Sequence, residues 1–360
     1  MKKIIAMALA GLMIVPQVFA APKAKKINKK TPIGVSMPTK DLQRWNQDGA
    51  NMKAQLEKAG YKVDLQYAAN DIPTQVSQVE NMITNGCKIL VIAAIDGSSL
   101  SNVLETARKK KVQVIAYDRL IMDSKAVSYY ATFDNYKVGT IQGDYLVDKL
   151  GLKSRSASDP VYMEFFTGDP GDNNINFFFG GAMDVLKPYL DKGVIVCPSG
   201  QTAKAQAATL EWSSERAQSR MENLITSNGY SPKGQKLDAV YCSNDSTAQG
   251  VTQALLSAGY DASNFPVITG QDCDITSVKN MLKGYQSMSV FKDTRTLASK
   301  VVEMVDAIMK GSNPPVNDTK TYDNNVKVVP SFLCEPVFGD VNNYKTLLVD
   351  SGYYKESELK

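Results

Sequence analysis

The stretch IGVSMPTKDLQRWNQDGANMKAQLEKAGYKVDL, residues 33–65, reads as strand, helix, strand. Ile33-Gly34-Val35 is a short β-rich run. After it, Leu42, Trp45, Gly49, Met52, Leu56 and Ala59 recur every three or four residues, which marks one buried stripe on a helix. Ala59-Gly60-Tyr61-Lys62 stops that helix at a glycine, and Val63-Asp64-Leu65 begins the next strand.

The same unit recurs along the chain. Further apolar runs lie at Ile89–Ile92, Val112–Tyr117, Val161–Phe166, Val194–Val196, Ala239–Tyr241 and Val267–Thr269, separated by helix-length segments with one polar face. Apolar strands alternating with amphipathic helices predict parallel sheets covered on both faces. The rhythm pauses at the polar stretch Lys153–Pro160 and restarts. With 360 residues and roughly 150 per domain, the expected fold is α/β, two doubly wound parallel-sheet domains. Arg108-Lys109-Lys110-Lys111 falls at a helix end, where positive charge suits the macrodipole.

Composition narrows the function. The chain is 43% hydrophobic and 22% charged, an ordinary globular balance, and it contains no histidine. Ser-His-Asp and Cys-His nucleophilic sites and HExxH zinc sites are therefore excluded. A formal net charge of +4, two of it from Lys2 and Lys3, gives no electrostatic reason to expect nucleic acid.

Lys2-Lys3, the apolar run Ile4–Val15, Pro16 and then Val18-Phe19-Ala20 have the layout of a Sec signal peptide over residues 1–20, cut after Ala20. The first cysteine is Cys87, so no lipoprotein cleavage site precedes it, and the expected product is exported and soluble. Residues 21–31, with Lys23, Lys25, Lys26, Lys29 and Lys30, read as a solvated linker or a tether to an anionic membrane. Five cysteines form no CxxC pair, and without histidine no metal cluster is expected. They read as buried thiols, with a Cys242–Cys273 disulfide left open.

In such sheets ligands bind beyond the carboxyl ends of the strands. There the sequence places Arg44-Trp45, Asp118-Arg119, Gly168 to Asn174, Ser243-Asn244-Asp245, Gly270-Gln271-Asp272 and Phe291-Lys292-Asp293. Carboxylate, amide and guanidinium groups can each bond two adjacent hydroxyls, and hydrogen bonds to charged groups contribute about 1.5–3 kcal/mol against roughly 0.5–1.5 for neutral ones. Groups of both signs suit a neutral polyol; a phosphate would call for a one-signed basic nest. The chain has two tryptophans, Trp45 and Trp212, both near these polar loops, and flat aromatics can cover the C–H faces of a pyranose. Each residue also has a plainer role. Trp45 lies on the apolar stripe, Trp212 fits a surface helix, Asp118 fits a turn cap, Asp172 fits an N-cap, and Phe177-Phe178-Phe179 fit helix core, with one of them able to line a pocket. The run Asp169–Asn174 lacks EF-hand spacing.

The segments IGVSMPTKDLQRWNQDG, VIAYDRLI, GDPGDNNINFFFGGAMDVL, VYCSNDSTAQGV, TGQDCD and SVFKDTR, in this order from Ile33 onward, resemble the periplasmic sugar-binding proteins of type I fold, in particular the multiple-sugar (ChvE-type) and xylose receptors. The resemblance implies two lobes joined by a three-strand hinge. The first is expected to take residues 32–133 and 293–326, the second 134–292 and 327–360, with crossings near Asp134, Lys292 and Lys327. It implies sugar contacts from Arg44, Trp45, Asp118, Arg119, Asp172, Asn174, Trp212, Asn244, Asp272 and Lys292, with Asp245 a weaker candidate. It further implies a periplasmic monomer that takes no cofactor or metal and hands a monosaccharide, an aldopyranose such as galactose, glucose or xylose, to an ABC transporter permease, or presents its closed form to a membrane sensor. Two other classes compete. A glycosidase would need paired carboxylates, yet basic neighbours should keep these ionised. A sugar-responsive transcription regulator would need a helix-turn-helix where this chain has its leader and lysines.

Overall fold

The computed structural model describes residues 27–360, so the signal peptide, its cleavage site and residues 21–26 lie outside the described residues. Six parallel strands form the first sheet: β1 (Ile33–Met37), β2 (Val63–Tyr67), β3 (Ile89–Ile92), β4 (Gln113–Tyr117), β5 (Val127–Phe133) and β11 (Ser331–Cys334), in the order β2-β1-β3-β4-β5-β11. Strand side chains alternate between faces, and each face meets its own helices. Ile33, Val35 and Met37 pack with helices α1 (Gln43–Lys58) and α10 (Thr294–Lys310). On the other face Leu90, Ile92, Val114 and Ala116 pack with α2 (Ile72–Thr84) and α3 (Ser101–Lys109).

The second sheet has four parallel strands, β6 (Val161–Phe166), β7 (Ile195–Val196), β8 (Ala239–Cys242) and β9 (Val267–Ile268), in the order β7-β6-β8-β9. Helices α4 (Asn135–Lys149) and α5 (Ile175–Asp191) cover one face; α7 (Ser214–Asn228) and α8 (Asp245–Ser257) cover the other. The short α6 (Lys204–Ala207) caps its edge, and α9 (Ile275–Leu282) packs with the C-terminal segment around Leu348 and Tyr354. Beside this sheet β10 (Ser289–Phe291) pairs antiparallel with β12 (Val337–Gly339), and Val290 bridges to Gln271.

The chain leaves the first sheet after β5, at Asp134, and returns after β10, at Lys292-Asp293, where the sequence places two crossings. The third differs. β11 pairs with β5 in the first sheet, so the crossing follows Cys334, and residues 327–334 go with the first half and not the second. The Ser-Phe-Leu-Cys run is too short and mixed to stand out as a strand in sequence. The pause at Lys153–Pro160 lies inside the second half, between α4 and β6.

Two smaller readings also change. Ile27 is half-buried on the first core and its N–H donates to the Met309 carbonyl at 3.1 Å, so residues 27–31 are tied down at their start instead of forming free linker. All five cysteines are free thiols, so the Cys242–Cys273 bridge is not formed. No helix among the described residues is long and apolar enough to cross a membrane.

Candidate functional site

The strand mouths of both halves meet at one cavity of about 290 Å³, lined by Arg44, Trp45, Asp118, Arg119, Asp172, Trp212, Asn244, Asp272 and Lys292, together with Leu42, Phe178 and Gln271. Nine of the ten residues expected from sequence are thus brought together. Asn174 is not among them.

The first half supplies a wall built on regular helix. Arg44 and Trp45 lie in the first turn of α1, and one turn further Asp48 accepts from Arg44 Nε at 2.9 Å and Nη2 at 2.8 Å. Asp48 is itself held by the Tyr117 hydroxyl at the end of β4. The Trp45 ring belongs to the first core, yet the guanidinium carbons of Arg44 and Arg119 stand 4.5 and 5.0 Å from its centroid. It serves as core and as pocket wall together.

Beyond β4, Asp118 takes the left-handed conformation (φ 58°). Its N–H donates to Ala131 O at 2.8 Å, and its carbonyl accepts from Tyr130 Oη (2.6 Å), Asn174 Nδ2 (2.7 Å) and Thr132 Oγ1 (3.0 Å). Four bonds offset a strained backbone and aim the carboxylate inward. Here Asn174 finds its role: its amide also accepts from Tyr130 Oη and Asn135 Nδ2, so it positions Asp118 and does not line the cavity. Asp172 accepts from the Asn174 N–H at 3.0 Å while its Oδ2 lies 3.2 Å from Arg119 Nε; the N-cap of α5 is Asn174, so the cap expected of Asp172 is not formed.

The second half supplies a wall built on unusual backbone. Trp212 closes a 3₁₀ turn, Leu210–Trp212, in which Glu211 (φ 60°) and Trp212 (φ 55°) are both left-handed. The Trp212 carbonyl accepts from Ser246 Oγ at 2.6 Å. Gly168 makes room for the indole, because a Cβ there would lie 2.1 Å from the ring. Phe178 stands edge-on to Trp212, centroids 6.2 Å apart at 74°. It is carried by α5, whose backbone touches α4 at Gly139, where a Cβ would lie 2.1 Å from Phe178 O. Of the three consecutive phenylalanines only Phe178 reaches the cavity; Phe179 is core and Phe177 packs on Tyr322. Asn244 N-caps α8 through the Thr247 N–H at 3.1 Å.

Asp245 is a positioning residue. Fully buried, it accepts from Asp274 N, Gln286 Nε2 and Ser289 Oγ, each at 2.8 Å, which fixes the loop carrying Asp272.

Three ion pairs cross between the halves. Arg44 Nη1 lies 3.4 Å from Asp272 Oδ1, Arg119 pairs with Asp172, and Lys292 Nζ stands 3.0 Å from Asp272 and 3.9 Å from Asp118. Arg44 Nη2 is also 2.9 Å from Asp118 within the first half. None of these groups is more than 8% exposed. Three cations face the four carboxylates Asp48, Asp118, Asp172 and Asp272, so no single-sign nest forms. Burial pushes Asp118 up, but Arg44, Lys292 and Arg119 outweigh it and hold the carboxyl below its ordinary value. In Asp172 burial prevails over Arg119 and the carboxyl is raised, against the sequence expectation that basic neighbours would keep every carboxylate low. Burial likewise raises Asp48 to about 6 despite Arg44. Among the described residues no group of three or more Cys, Asp or Glu side chains could hold a metal ion.

The cavity keeps unspent hydrogen-bonding capacity. Trp45 Nε1, Trp212 Nε1 and Gln271 Oε1 are buried without a protein partner. Buried polar atoms are ordinarily bonded, so donors and acceptors left over on the lining of one cavity point to a polar ligand there. In sequence Gln271 stood out as a neighbour of Asp272 at a strand mouth, Phe178 as one of three phenylalanines of which one could line a pocket, and Leu42 as part of the α1 stripe.

Comparison with known proteins agrees with this arrangement. Residues 33–313 match the periplasmic binding protein domain family. The chain is 49% identical over its full length and that of its relative to the multiple sugar-binding periplasmic receptor ChvE of Rhizobium radiobacter. It is 37% identical to the D-xylose-binding periplasmic protein of Escherichia coli K12, covering 92% of this chain and 93% of that one. Among solved structures, an ABC transporter solute-binding protein from Clostridium phytofermentans with bound β-D-glucose superposes with a TM-score of 0.89 at 65% identity, covering 92% of this chain and all of the other.

Proposed function

From a chain that belongs to the periplasmic binding protein domain family, we propose a receptor that captures a monosaccharide between its two halves and delivers it to an ABC transporter permease. One observation carries this reading: a small cavity walled by two indoles and edged by charged groups of both signs, with unpartnered polar atoms on Trp45, Trp212 and Gln271 of its lining. Indole faces cover the apolar side of a pyranose, and carboxylate, guanidinium and ammonium groups bond its hydroxyls. The relatives named for multiple sugars and D-xylose, and the neighbour with β-D-glucose, support an aldopyranose as ligand.

The two halves act as lobes on the three crossings at residues 134, 292–293 and 335–336, open when free and closed over the sugar, which bridges Arg44, Asp118 and Arg119 with Asp172, Asp272 and Lys292. No step of chemistry is assigned: the site binds. The protein works as a periplasmic monomer, each sheet being covered on both faces by its own helices, and N-terminal sequencing of the exported product should begin at Ala21.

Calorimetric titration with glucose, galactose, xylose, arabinose and ribose tests the reading, on protein first unfolded and refolded to strip carried sugar. Saturable one-to-one binding of at least one aldose at about −8 kcal/mol, a micromolar affinity, is expected. Absence of heat with all five would move the site to a different polar solute.

A further inference from the structure

Leu42 lines two spaces. One is the cavity already described; the other is a larger vestibule lined from both halves. Asp41, Gln43 and Asn70 of the first half and Glu211, Gln249 and Asp274 of the second face this vestibule, and no lysine or arginine lines it. Leu42 packs at once on the apolar cluster around Trp45 and on the one around Phe178 and Trp212, so its side chain spans the seam between the halves. Its place is fixed by the start of α1, where it is the extended residue before the first helical turn. Behind it Asp274 is buried, 9% exposed, and its Oδ1 has no protein partner.

We propose that Leu42 is the specificity-determining residue that confines the ligand to a single ring, and that the vestibule behind it is a subsite able to seat the second ring of a neutral disaccharide once this side chain is shortened. The inference rests on the monosaccharide reading above. The vestibule is lined by residues with carboxylate and amide oxygens, which accept from the hydroxyls of a sugar. Its four acidic residues, Asp41, Glu211, Glu215 and Asp274, with no basic side chain in the lining, disfavour a second ring that carries a carboxylate. Leu42 is the one residue that lines both spaces, and apolar contacts of that size shift ligand preference by about 10- to 200-fold.

The test uses refolded wild type, Leu42→Ala, and Leu42→Ala combined with Thr276→Trp, an exposed α9 position that lines only the vestibule. Each is titrated with glucose, galactose, xylose, arabinose and ribose, with cellobiose, maltose, lactose and melibiose, and with an acidic disaccharide containing glucuronic acid. Wild type should bind glucose and no disaccharide. Leu42→Ala should bind glucose somewhat more weakly and gain at least one neutral disaccharide by about tenfold or more. Thr276→Trp in that background should abolish the gain and leave glucose binding in place, and the acidic disaccharide should bind none of the three. The inference is overturned if Leu42→Ala binds glucose but no disaccharide better than wild type does, or if wild type binds the disaccharides equally well. Disaccharide binding that survives Thr276→Trp, or preference for the acidic one, also overturns it. If none of the three binds glucose, galactose, xylose, arabinose or ribose, the monosaccharide reading itself fails.

Discussion

The two tryptophan walls of the cavity do the same work on opposite foundations. Trp45 sits on the regular backbone of a sixteen-residue helix, inside the first core, beneath two guanidinium groups that are themselves anchored to carboxylates. Trp212 sits on two consecutive left-handed residues, in the space a glycine leaves open, with its carbonyl tied to Ser246. The first wall is part of what holds its half together. The second also belongs to a buried cluster, with Val138, Ile175, Phe178, Met288 and Val290, but a smaller one than the core around Trp45.

That contrast can be broken by mutation. The largest effect is expected for Trp45→Ala. It removes an indole face and the surface on which Arg44 and Arg119 rest, so affinity for the bound aldose should fall about a hundredfold and the thermal midpoint should drop as for a large-to-small core change. Trp212→Ala should cost about tenfold in affinity and lower the midpoint less than Trp45→Ala does, because its buried cluster is the smaller; equal stability losses for the two variants would erase the distinction.

Arg119→Ala and Asp272→Ala, one from each half, should each weaken binding tenfold or more while the protein stays folded by circular dichroism. Unchanged isotherms for both would remove the cavity from the account. Gly168→Ala should displace the Trp212 ring and lower affinity about as much as Trp212→Ala does. The double variant should be no worse than either single one, since both act through the same ring. Additive losses would place Gly168 in some other role.

The smallest effect is one of pH. Asp48, under the first wall, has its carboxyl raised to about 6 from an ordinary value of 3.8, with burial the main cause. Between those values the folded chain holds a proton that the unfolded chain has released, so this group makes stability fall as pH rises through that window. Asp274, raised to about 7, acts in the same direction. Wild type should therefore lose thermal midpoint between pH 4 and 6 through this group, and Asp48→Asn should show a flatter profile over that range. An unaltered slope would mean that Asp48 is ionised throughout.

Much of this was legible in the sequence because parallel strands covered on both faces read as continuous apolar runs, and the first polar residue after each run marks a strand mouth. Asp118, Asn244, Asp272 and Lys292 were found in that way. The stripe through Trp45, Met52 and Leu56 foretold α1 and its buried face. What stayed hidden depends on partners distant in sequence. Asp48 drew no notice in the sequence and proved to be the buried anchor of Arg44. Asn174 was the right residue type in the right loop, but Tyr130 and the Asp118 carbonyl claim its amide. β11 carries four residues and owes its place to the edge of β5, so the third crossing was set a few residues early. The left-handed turn under Trp212 has no glycine to announce it.

The chain holds two tryptophans, and both face this cavity, so their fluorescence reports on it without a label. The most direct test is to titrate the refolded, sugar-free protein with the aldose that binds in calorimetry while following tryptophan emission in wild type, Trp45→Phe and Trp212→Phe. A saturable change in wild type, with a midpoint matching the calorimetric one and a separate response from the remaining indole in each variant, is the result expected of a sugar held between the two walls. Calorimetric binding with emission unchanged in all three proteins would put the sugar elsewhere on the molecule and contradict the site.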